Sequence, residues 1–237
     1  MGIYRDKFIK EIQLRGLSRR TQEAYLSSVT KLIQFYGKCP TQINVEEIKD
    51  YLFHYKKSKV PGKEHAHSAR SVNRQASGIR SFYKLVFKQD YSEDIPSVKA
   101  PITTPTILSK SEVKALIDGV YNVQYKVMIM ALYATGMRLG ELQHLTTSDI
   151  DSKRMIINIR GGKGAKDREA ALSPMLLAAL RTHWRLKPFK DTKYIFSPTR
   201  NPHSSNLDKP ITPTSISYAL NTAAKAAGIK KKLKHMS

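Results

Sequence analysis

Apolar residues recur every three or four positions over most of the chain, the spacing that lines one face of an α-helix. Tyr25, Val29, Leu32, Ile33 and Tyr36 form one such stripe, opened by Ser18 as a cap and closed by Gly37. Asn44 with Glu47 three residues later predicts a capped second helix, whose apolar side is Ile48, Tyr51, Leu52 and Tyr55. A third helix is predicted from about Ser68 to Lys88, with Val72, Ala76, Ile79, Phe82, Tyr83 and Val86 on its core side. Arg70, Arg74, Arg80 and Lys84 lie elsewhere around that helix, as a basic face suited to a DNA groove.

The pattern is interrupted between Pro96 and Pro105, where three prolines bracket Thr and Ala residues without helical spacing. Proline has no amide hydrogen and biases its predecessor toward extended backbone, so residues 96–105 are expected to be an extended linker. Residues 1–95 then form a helical domain and 106–237 a second domain. In the latter, Ser109 and Glu112 open a helix as a capping box, and residues 125–134 form a more apolar helix that breaks at Gly136. Helical spacing resumes from Arg138 to Leu145. Residues 155–160 are rich in isoleucine and short, so a strand is predicted; Gly161-Gly162-Lys163-Gly164 turns the chain and residues 168–172 return as its partner. Ser173-Pro174 and Thr212-Pro213 each begin a further helix, the second ending near Gly228. The expected fold class is mainly α with a small β-sheet.

Charge adds a partner to this picture. The chain holds 41 Lys and Arg against 19 Asp and Glu, a formal net charge of +22, which points to a polyanion. Residues 1–95 carry 18 basic and 10 acidic side chains, and residues 106–237 carry 22 and 9. Both halves are therefore expected to touch phosphates, as a clamp on nucleic acid does. The single cysteine, Cys39, cannot form an internal disulfide, and no stretch approaches the roughly 20 apolar residues of a membrane span. The first residues lack the apolar core of a secretion signal, so a cytoplasmic location is expected. The seven histidines are scattered without ligand spacing, and no metal site is expected.

Phosphodiester transfer needs a nucleophile, cations for the non-bridging oxygens and an acid for the leaving oxygen. Arginine suits the oxygens, because its planar fork donates in pairs and keeps its charge. Arg138 emerges after the Gly136 break with Glu141 three residues on as a partner; the pair alone reads more readily as a structural ion pair. Lys163 in a glycine turn is as ambiguous alone.

Three segments in order carry a resemblance: Ala134-Thr135-Gly136-Met137-Arg138-Leu139-Gly140-Glu141-Leu142, then Gly162-Lys163-Gly164-Ala165-Lys166-Asp167-Arg168, then Leu233-Lys234-His235-Met236-Ser237. Together with Leu17 to Tyr25 near the start, they resemble the tyrosine recombinase or phage integrase family, over essentially the whole chain. The resemblance implies an N-terminal helical core-binding, SAM-like domain and an α/β catalytic domain that close on duplex DNA as a tetramer on paired sites, without metal or other cofactor. It implies that Arg138 binds the scissile phosphate, Glu141 supports it, Lys163 is the general acid and His235 assists proton transfer. Lys166 or Arg168 is then expected to contact the DNA backbone.

In that family a second arginine follows the histidine by three positions, and the nucleophilic tyrosine comes later still. The chain ends at Ser237, so a catalytic domain truncated before both is expected, one that binds DNA without cleaving it. Tyr218 precedes His235 on a helix whose Ile216, Leu220 and Ala223 suit core packing, and is not expected to replace the nucleophile. Two other readings remain: a DNA-binding competitor or regulator at recombination sites, and a basic RNA-binding protein. The aromatic strand motif of a common RNA-recognition module is missing, which counts against the latter.

Overall fold

The computed structural model describes residues 2–62, 64–102, 107–161, 167–188, 192–198 and 209–231. The chain divides into two compact units, Met1–Thr103 and Thr104–Ser237. No described helix is long and apolar enough to cross a membrane.

The first unit is helical: α1 (Gly2–Leu14), α2 (Arg19–Tyr36), α3 (Val45–Lys57) and α4 (Ala69–Phe82), with α4 running on into a π-helical turn at Tyr83–Phe87. The caps lie where the sequence places them. Ser18 accepts the Thr21 amide, Asn44 and Glu47 form a reciprocal capping box, and Gly37 closes α2 at φ +64°, a conformation that costs glycine little. Helix α1 is an element that the sequence reading does not place. Its Phe8 and Ile12 lie on one face and are fully buried against Val29, Leu32 and Phe82.

Helices α2 and α4 make the closest approach. A β-carbon added to Gly78 would stand 2.8 Å from the Ser28 Cβ and 3.1 Å from the Tyr25 Cα, so only glycine lets the two backbones come this near. Across that contact Ser28 Oγ and Gln75 Oε1 are 2.9 Å apart, and Gln75 Nε2 donates to the Tyr51 hydroxyl at 2.8 Å. The start of the expected linker is fastened to this unit. Asn73 donates to the Val98 carbonyl at 2.8 Å and accepts the Val98 amide at 2.7 Å.

The second unit packs α5 (Lys110–Asp118), α6 (Val123–Thr135), α7 (Leu139–Gln143), α8 (Pro174–Leu186) and α9 (Pro213–Ala226) with a three-stranded antiparallel sheet. The strands are β1 (Ile150–Asp151), β2 (Ile156–Ile159) and β3 (Arg168–Ala171), in the order β1-β2-β3. Ile156 pairs with Ala171 and Ile159 with Arg168, which places Arg168 at the end of β3 nearest the turn. Ile157 and Ile159 are buried with Val127, Met128, Leu142, Leu176 and Ile216, forming a core between the sheet and α6, α8 and α9. The expected capping box at Ser109 and Glu112, and the Ser-Pro and Thr-Pro starts of α8 and α9, are all present. Tyr218 is exposed on α9, while Ile216 and Ala223 of the same helix are buried.

Candidate nucleic-acid interface

Arg138 sits in the turn between α6 and α7. Helix α6 ends at Gly136, whose φ of +60° reverses the backbone, and Arg138 then takes the extended conformation of an N-cap residue, with φ −76° and ψ 158°. Glu141, one turn into α7, accepts the Arg138 amide at Oε2 (2.8 Å) and the Arg138 guanidinium Nη1 at Oε1 (2.9 Å). The i+3 spacing therefore produces both a helix cap and an ion pair.

A third residue joins them. Arg168 of β3 donates through Nη1 and Nη2 to Glu141 Oε2 at 3.1 and 2.9 Å, and its Nη2 also reaches the Gly136 carbonyl at 3.3 Å. The Glu141 side chain is 5% exposed, whereas those of Arg138 and Arg168 are 41% and 39% exposed. Two guanidinium groups thus meet one buried carboxylate, and among the described residues one positive charge is left without a counter-charge at a surface open to solvent. A buried carboxylate needs such donors, because burial without them is costly. Arg138 commits one guanidinium N–H here, so most of its five donors remain for an anion.

The sheet carries a second anchored arginine. Arg160, following β2, places Nε 2.9 Å from Asp149 Oδ1, and the buried Asp149 also accepts the Thr146 amide and hydroxyl. At the base of the hairpin Asp167 Oδ1 accepts the Gly161 amide at 2.8 Å. Lys163, Lys166 and His235 lie outside the described residues. No group of three potential metal ligands occurs among the described residues.

In the first unit, the four basic residues expected on the third helix are not equivalent. Arg70 and Arg74 are exposed on α4, one turn apart. Arg80 instead donates to the Ile95 carbonyl at 2.9 Å, which holds the segment after the π turn against the helix. Lys84 pairs with Asp90, and the lysine and the Ser92 hydroxyl hold the Asp90 carboxyl down to about 2. The fold spends two of the four on its own backbone and side chains.

Two family models match the chain. Phage integrase, N-terminal SAM-like domain, matches residues 4–93, and Phage integrase family matches residues 106–237. The Sinorhizobium fredii protein y4qK, named as an integrase/recombinase, is 30% identical over 94% of this chain and 76% of its own length. Tyrosine recombinase XerA of Pyrococcus furiosus is 27% identical over 95% of this chain and 74% of its own. Among solved structures, a lambda integrase tetramer bound to a Holliday junction is similar with a TM-score of 0.70 at 16% identity, covering 98% of this chain and 65% of that one. The XerH recombinase bound to its difH substrate has a TM-score of 0.68 at 17% identity, covering 93% and 67%. Family models over both units, with a mostly helical fold and small sheet like those of DNA-bound recombinases, lead to one conclusion: the chain belongs to the phage integrase family of tyrosine recombinases.

Proposed function

We infer that this protein grips duplex DNA in the cytoplasm as part of a site-specific recombination reaction, in which strands are cut and rejoined through a phosphotyrosine. Arg138 receives the scissile phosphate and Glu141 holds it in place. The observation that carries this reading is that two half-exposed arginines share one buried carboxylate, which among the described residues leaves a net positive charge. A guanidinium held in that way meets a phosphate with little reorganisation, which is what charge stabilisation in phosphoryl transfer requires.

The remaining roles follow the resemblance. Lys163 protonates the leaving oxygen, His235 assists, and Lys166, Arg70 and Arg74 meet the DNA backbone. DNA partners bound by lambda integrase and XerH support duplex DNA as the ligand here, and the lambda integrase tetramer supports assembly of several copies on paired sites. We assign no nucleophile among the described tyrosines.

Binding of the purified chain to duplex DNA and to structured RNA at matched salt tests the reading. The expected result is tighter binding to the duplex, with affinity falling linearly in log salt at a slope of roughly −0.9 for each phosphate neutralised. Equal affinity for RNA, or binding insensitive to salt, overturns it.

A further inference from the structure

Arg168 stands 27 residues from Glu141 in sequence, yet both of its terminal nitrogens point at that carboxylate. The sequence reading gives it a DNA backbone contact, but its donors are largely committed within the protein. Nη1 and Nη2 meet Glu141 Oε2, and Nη2 also meets the carbonyl of Gly136, the residue that caps α6. Glu141 Oε2 consequently serves Arg168 and the Arg138 amide, while Oε1 alone serves the Arg138 guanidinium. We propose that Arg168 is a positioning residue for phosphate binding: by holding Glu141, it keeps the Arg138 guanidinium presented to the anion with its donors free.

The inference rests on the reading of Arg138 as the phosphate ligand, and it follows from charge and geometry together. Glu141 and Arg138 alone would form a neutral pair, whose attraction for a phosphate is weak. Arg168 restores a net positive charge without competing for the ligand. It also occupies Oε2, so the carboxylate cannot turn both oxygens onto the Arg138 fork and consume a second of its donors. Finally, the contact to Gly136 ties β3 to the turn that carries Arg138, and β3 is fixed in register by Ile159 opposite Arg168. Rigid support of this kind is how a binding side chain keeps its productive geometry.

The test uses the whole chain labelled with 15N-arginine and titrated with inorganic phosphate, following the side-chain Nε signals. Phosphate is expected to shift the Arg138 signal, identified by its loss in Arg138→Ala. Arg168→Ala is expected to weaken phosphate binding at Arg138 about tenfold, roughly what one charge-assisted contact contributes, and Arg168→Lys to recover part of it. In a Glu141→Gln background the same Arg168→Ala change is expected to have a clearly smaller effect, because the carboxylate it positions is gone and only its added charge is lost. A full loss in that background means that Arg168 meets the anion directly and overturns the proposal, as does unchanged phosphate affinity in Arg168→Ala. If Arg168→Ala does not fold, Arg168→Gln, read against Glu141→Gln in the same way, decides. A wild-type Arg138 signal that phosphate does not move defeats the reading of Arg138 itself.

Discussion

Two polar clusters lie in the two units, and they differ in what they leave over. Ser28, Gln75 and Tyr51 join α2, α3 and α4 through neutral hydrogen bonds that close on one another, and all three residues are buried. Arg138, Glu141 and Arg168 join α7 and β3 through charged bonds that close only around the carboxylate, leaving charge and donors facing solvent. A closed neutral network specifies packing, because any misalignment strands a buried polar group. An open charged one keeps donors available to an anion. Damage to the first should therefore appear as lost stability, and damage to the second as lost affinity for an anion.

The largest expected effect tests the first half of that contrast. Gly78→Val places a branched side chain where even a β-carbon meets Ser28 and the Tyr25 backbone, and overpacking of this kind costs about 2–3 kcal/mol. Urea unfolding followed by circular dichroism measures it. An unchanged midpoint would mean that α2 and α4 have room to separate. A smaller cost, about 1–2 kcal/mol, is expected for Gln75→Leu, which keeps the volume but leaves the Tyr51 hydroxyl without its donor. In both variants DNA affinity of the folded protein should be preserved; a loss of affinity matching the loss of stability would erase the distinction between the clusters.

Arg138→Ala is expected to behave in the opposite way. Arg138 is itself partly exposed and Arg168 still pairs the buried Glu141, so stability should change by less than about 1 kcal/mol, while affinity for duplex DNA at low salt falls about tenfold. Fluorescence anisotropy and thermal unfolding on the same sample separate the two. Destabilisation with unaltered affinity would make the arginine a structural residue, the alternative that its i+3 spacing from Glu141 leaves open.

Titration offers a further check within the second unit. His183 is buried, stacked on Phe196 with ring centroids 5.3 Å apart, and its Nε2 lies 3.0 Å from the Ile195 carbonyl. Burial lowers its pKa below the usual 6.5. The folded state thus holds the proton less tightly than the unfolded chain, so His183 costs no stability at neutral pH. A penalty grows as pH falls from about 6.5 through the depressed folded value. Unfolding midpoints of wild type and His183→Gln should converge or cross between pH 7 and pH 5. Parallel curves would show that His183 does not titrate in this range.

Local codes made much of this fold readable in advance. Ser18, Asn44 with Glu47, and Ser109 with Glu112 act on amides three residues away, so their sequence neighbourhood contains the whole interaction. Helix α1 takes its stability from burying Phe8 and Ile12 against distant residues. The two-residue strand β1 likewise depends on its pairing with β2. The same division runs through the site. Arg138 and Glu141 are legible because they are one helical turn apart; the role of Arg168 is not, because only the fold of β3 onto the α6–α7 turn brings it to Glu141.

The basic residues of α4 and its π turn sharpen the contrast at its weakest point, since free charges near the start of the helix give way to committed ones toward its end. Arg70 and Arg74 are exposed, and among the described residues neither has an ion pair, so each is able to displace a counterion from DNA. Lys84 already has Asp90 as its counter-charge, and a phosphate would have to displace or tolerate that carboxylate. The salt dependence of duplex binding distinguishes them. Arg74→Ala is expected to make the slope of log affinity against log salt shallower by about 0.9, the contribution of one phosphate, whereas Lys84→Ala leaves it nearly unchanged. Asp90→Asn, which removes the competing carboxylate, should steepen the slope by up to the same amount while changing stability by less than about 0.5 kcal/mol, as expected for an exposed pair. Equal slopes for Arg74→Ala and Lys84→Ala would mean that pairing within the protein does not decide which charges reach the DNA, and the whole basic face of α4 would then act as one.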